Sequence, residues 1–94
     1  MINANDLIQK QQERENNKIN SFKKVFSNIQ KKILLASSYN YYYLWYEVPE
    51  FIFGLPKYKM NECIDYLSKQ LKDCNFQVNV YKPNILFIQW FPKN

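Results

Sequence analysis

Between Asn3 and Ala36 the chain has neither glycine nor proline, and no other feature restricts its fold as strongly. Both residues are poorly tolerated inside a helix, whereas the Leu, Lys, Gln, Glu and Ala that recur here are its best formers. Asn3 followed by Asp6 resembles a capping box with Asp in place of Glu or Gln. A stripe runs Ile8, Gln12, Glu15, Ile19, Phe22, Phe26, Ile29, Ile33, Ala36, stepping by four and three as one helix face requires. It is apolar only from Ile19 onward, because the polar run QKQQERENNK separates Ile8 from Ile19. The spacing predicts one long helix whose first turns, within residues 1–18, project from the domain or dock on something outside the chain.

The remainder reads as shorter elements. SSYN (37–40) ends the helix with turn-forming residues. A strand follows over 41–48, then a loop over 49–58 whose Phe51, Ile52, Phe53 and Leu55 are expected to pack over a core edge. A second helix over 59–74 gathers Met60, Cys63, Ile64, Leu67, Leu71 and Cys74 on one face, with Asn75 as its left-handed cap. Phe76, Val78 and Val80 alternate with polar residues as a half-buried strand, KPN turns the chain, and 85–90 forms a last strand. The expected fold is α+β in the order αβαββ. A small three-stranded sheet is covered on one face by helices, and residues 1–94 form a single domain.

Chemistry is constrained by what is missing. The sequence has no histidine, two cysteines and one glycine, which leaves no common general base, no zinc set of four and no phosphate-cradling loop. Cys63 and Cys74, on one helix about 16 Å apart, are beyond disulfide reach and are expected to be buried free thiols of a reducing compartment. Of the eight acids, Glu47 and Glu50 bracket Val48 and Pro49 but read as ordinary surface carboxylates. The expectation is no enzyme, no metal and no cofactor. No stretch is long and apolar enough to span a membrane, and the polar N-terminus does not resemble a signal or transit peptide.

Binding surfaces remain. Phe, Tyr, Met, Ile, Asn and Lys supply 50 residues against 8 for Gly, Ala, Arg and Pro, the mark of A/T-rich codons, so aromatic and lysine abundance alone says little. Alternation along YNYYYLWYEV is more informative. It places Tyr42, Leu44, Tyr46 and Val48 on a core face and Tyr41, Tyr43, Trp45 and Glu47 on the other, which the chain's own helix and loop would cover or leave open. Trp90 and Phe91 are expected to extend that second surface. With Ile8, Ile19, Phe22 and Phe26 of the helix, Tyr41, Tyr43 and Trp45 are the candidate contacts for a protein partner. The formal net charge is +5, and Lys18, Lys23, Lys24, Lys31 and Lys32 lie in a stretch without acids. They are candidates for phosphate contact, although a lone Arg argues against base reading.

INANDLIQKQQER in the first helix, YEVPEFIFGLPKY, CIDYLSKQLKDCNFQVNV and PNILFIQW together resemble a family of small proteins of unknown function from nucleocytoplasmic large DNA viruses, the giant viruses. The likeness spans nearly the whole chain. Members often carry Gly before the Phe of the second strand, where Asn75 stands here. The resemblance implies a viral origin and action in host cytoplasm, viral factory or virion, and it implies no catalytic residues. The expected role is a non-enzymatic structural or interaction protein, a virion component or assembly adaptor, binding a viral protein or itself as a homodimer. The alternative is a basic accessory protein that binds nucleic acid in DNA packaging or transcription.

Overall fold

The computed structural model describes residues 2–92 and, for Glu15 and Asn16, the backbone alone. The place expected for Glu15 on the stripe therefore lies outside the described side chains. Five elements follow one another: α1 (Ala4–Ser38), β1 (Tyr43–Glu47), α2 (Met60–Asp73), β2 (Gln77–Tyr81) and β3 (Ile85–Gln89). The α+β order is the one the sequence predicts. The three strands pair antiparallel in the order β1-β3-β2, so β3 lies in the middle and pairs with both others.

α1 starts where the cap was expected. The Asn3 side-chain oxygen accepts the Asn5 N–H at 2.8 Å, satisfying one of the donors a helix N-terminus leaves open. Both helices end in the same way. Asn40 and Asn75 have φ of 65° and 70°, and their N–H groups donate to the Ser37 and Lys72 carbonyls. The following N–H groups, of Tyr41 and Phe76, reach back to Ala36 and Leu71. This is the Schellman arrangement, and Asn is the residue that tolerates its left-handed position most readily after Gly. Asn75→Gly should leave stability unchanged or raise it slightly, while Asn75→Val should cost about 1–2 kcal/mol in urea unfolding. Equal stability of the two variants would remove the left-handed position from the account.

α1 and α2 cover one face of the sheet. Val25, Ile29, Leu67, Leu71, Leu86, Ile88 and Val48 are fully buried between the layers, with Phe22, Ile33, Tyr46 and Ile64 beside them. The long helix, about 52 Å at 1.5 Å per residue, accounts for the molecular extents of 63 × 27 × 23 Å. Its residues 4–14 are exposed.

Four expectations need correction. The buried line on α1 is Phe22, Val25, Ile29 and Ile33 with Ser21, shifted from the expected stripe toward Val25. A strict seven-residue repeat drifts about 20° per heptad on a straight helix. Tyr42 is half exposed because the strand, expected from residue 41, begins only at Tyr43. Phe51 and Phe53 of the 49–58 loop face solvent, Phe53 at 95% exposure, and only Ile52 and Tyr58 pack on the core. The loop is held by backbone acceptors instead: Ser21 Oγ donates to the Pro56 carbonyl at 2.8 Å, and the Tyr58 hydroxyl donates to that of Pro49. Finally, Cys63 is buried but Cys74 is exposed, since it follows the last turn of α2.

Candidate functional site

Alternation in the strands decides which side chains face away from the helices. β1 turns Tyr43, Trp45 and Glu47 outward. By their register, Gln89, Phe87 and Ile85 of β3 and Gln77, Asn79 and Tyr81 of β2 stand beside them. On this face the rings form one connected row. Trp45 and Phe87 are stacked at 4.2 Å between centroids, and Tyr81 joins Trp45 at 5.4 Å. Tyr43 lies 6.0 Å from Phe87, and Tyr41 lies 5.7 Å from Tyr43. Aromatic pairs at such spacings reinforce one another beyond the area they bury. Tyr41, Tyr43, Trp45 and Tyr81 nevertheless stay 45–54% exposed.

Tyr41, Tyr43 and Trp45 are on the face their alternation predicts, whereas Phe87 and Tyr81 join it without a signal in the sequence. Their membership depends on β3 lying between the other strands, which no local pattern reveals. The surface is not extended by Trp90, which turns to the core side and packs edge-on against Phe76 at 5.9 Å.

The helix candidates separate. Phe22 is 7% exposed and packs against Tyr58 and Tyr66, with centroids 5.7 and 5.3 Å away; Phe26 is half-buried against the same core. Both serve the chain's own interior, which corrects their assignment as partner contacts. Ile8 and Ile19, at 51% and 37% exposure, remain accessible.

The lysines do not meet the aromatic row. Lys18 reaches Glu62 of α2 at 3.6 Å, and Lys32 sits over the Tyr46 ring at 5.4 Å, so both flank the buried side of α1. Lys23, Lys24 and Lys31 are exposed on the part of α1 turned away from the sheet. The strand positions of the open face hold one acid, Glu47, and no base.

The description "Family of unknown function (DUF5759)" belongs to a family that matches residues 2–72. The chain is a member of the DUF5759 family. It is also similar to "Uncharacterized protein R447" of Acanthamoeba polyphaga mimivirus, with 29% identity covering 99% of this chain and 79% of the relative. No solved structure matches. The DUF5759 match takes in α1, β1 and nearly all of α2, so Tyr41, Tyr43 and Trp45 lie within it and Tyr81 and Phe87 beyond it.

Elsewhere in this DUF5759 chain, titration is governed by burial. Burial pushes the Cys63 thiol up from 9.0 to about 12. Tyr58 rises from 10.0 to about 12, through burial first and then through the charges that Cys63 and Tyr46 would carry. Tyr46 is raised for the same two kinds of reason. A thiol so protonated is a packing group and not a nucleophile. Among the described residues no group of three His, Cys, Asp or Glu could hold a metal ion, and no helix is long and apolar enough to cross a membrane.

Proposed function

We propose that this DUF5759 chain is a non-enzymatic viral interaction protein, a virion component or assembly adaptor, that docks through the aromatic face of its sheet. The observation that carries the reading is the connected ring row of Tyr41, Tyr43, Phe87, Trp45 and Tyr81, left open on the side without helices. Tyr and Trp are the residues that concentrate binding energy at protein interfaces. The exposed first turns of α1, with Ile8, are a second arm for the same purpose. The mimivirus relative supports a setting in host cytoplasm, viral factory or particle.

The rival reading, a nucleic-acid-binding accessory protein, draws on Lys23, Lys24 and Lys31 and on the net charge of +5. Stacking platforms for bases combine their rings with cations that follow the phosphates. Here the rings and Lys23, Lys24 and Lys31 sit on opposite sides of the molecule, which favours a protein partner.

A photoreactive phenylalanine at position 45, expressed in infected cells, is expected to crosslink to a viral protein. The adduct should survive nuclease treatment and fall severalfold when Tyr43→Ser is added. Adducts no stronger than those from position 24 would count against docking through this face. Adducts that vanish with nuclease would favour the rival reading.

A further inference from the structure

We infer that the occupant of the aromatic face is a second copy of this chain, packed sheet against sheet about a two-fold axis; the inference rests on the docking reading above. Three properties of the face point to self-association.

Area is the first. Four rings about half exposed offer about 400 Å², taking roughly 200 Å² for each whole ring. That is already the size of the largest apolar patches monomers leave in water. Two such faces with their polar rims would bury on the order of 1,200 Å² in total, where stable interfaces begin. The stacked Trp45 and Phe87 would lie near the centre, as binding hot spots do.

Charge is the second. A molecule of net charge +5 repels its own copy unless the contact surface is free of the excess. The strand positions of the open face hold no base, and Lys23, Lys24 and Lys31 are behind the sheet on α1. With sheets about 10 Å apart and a helix layer of similar thickness behind each, the two lysine rows would be about 30 Å or more apart. That is several Debye lengths at physiological salt, about 8 Å each.

Self-complementarity is the third. Phe87 is the central position of the three-by-three grid formed by the strand pairs. A two-fold axis through it and parallel to the strands sets Glu47 opposite Tyr81 of the other copy. An axis perpendicular to the strands sets Glu47 opposite Tyr43 instead. Either way Phe87 meets itself, and the one carboxylate faces a tyrosine hydroxyl that can donate to it, never its own copy. An isologous contact requires this kind of pairing.

The test is sedimentation equilibrium and native mass spectrometry of the whole chain at about 1 to 100 µM, the range in which micromolar dissociation is read. The expected result is a dimer whose dissociation constant rises at least about tenfold with Trp45→Ser, a change of roughly 1.4 kcal/mol. Far-ultraviolet circular dichroism should remain that of the parent. As a second measurement, Phe87→Cys in a Cys74→Ser background should be bridged between chains by a short bismaleimide, and Lys24→Cys in that background should not. A dimer indifferent to Trp45→Ser, or equal bridging from both positions, would overturn the inference. So would a strict monomer at the highest concentration. In that case position 45 would still be expected to capture a different viral protein in infected cells, so failure of self-docking and failure of the docking reading are told apart.

Discussion

Replacing Ile88 by alanine should lower the thermal midpoint by about 10–25 °C. Ile88 is fully buried in the central strand, opposite Leu44 on one side and Val78 on the other, under the layer formed by both helices. Truncating a buried Ile to Ala leaves a cavity that neighbours held from several directions cannot collapse to fill, at a cost of about 2–4 kcal/mol. For a domain of this size each kcal/mol shifts the midpoint by roughly 4–8 °C. The neighbouring Phe87 provides the contrast. It points to the open face and is only half-buried, so Phe87→Ala should cost markedly less despite removing more atoms. Scanning calorimetry of both variants checks the ordering. A larger loss for Phe87 would mean that the ring row, and not the helix-covered layer, is the main core.

Burial should slow alkylation of Cys63 by about a thousandfold or more relative to an ordinary thiol. At pH 8 a thiol shifted from 9.0 to about 12 has its reactive thiolate fraction cut from about one in ten to about one in ten thousand. Complete burial of Cys63 adds a steric barrier, whereas Cys74 is exposed. Iodoacetamide followed by peptide mass mapping should therefore mark Cys74 alone until urea unfolds the chain. Rapid labelling of Cys63 in the native protein would contradict its place in the core.

The same shift has a consequence for alkaline stability. Because the native state holds the Cys63 and Tyr58 protons more tightly than the unfolded chain, their contribution is fully present below about pH 9. It is lost as pH rises through about 12. The urea midpoint should fall across that window, and Cys63→Ala should flatten the fall.

Much of the fold could be read from local pattern. The absence of Gly and Pro defined α1, the spacing of Cys63, Ile64, Leu67 and Leu71 gave the buried side of α2, and Asn75 marked its end. In β1 the period of two separated Tyr46 and Val48 from Tyr43 and Trp45. What escaped was non-local. A heptad rule slightly misaims a straight helix and so omits Val25, and spacing alone does not tell whether Phe22 and Phe26 meet this chain's own core, as they do, or a partner. Phe53 is apolar yet almost wholly in water, because the turn at Gly54, with φ of 84°, carries it off the core. Phe87 and Tyr81 joined the aromatic row only once strand order was known. Period tells a side chain its face but not its neighbour.

The central position of β3 also sets the timing of folding during synthesis. β1 and β2 pair only with β3, and residues 48–84 separate β1 from it. At translation rates of about 5–20 residues per second, β1 waits for roughly 2–7 seconds with Tyr43, Trp45 and its backbone edges unpaired. α1, whose backbone ladder is made of local hydrogen bonds, can coil within microseconds of leaving the ribosome. The aromatic strand is therefore a part of the nascent chain that shelter by a chaperone would protect.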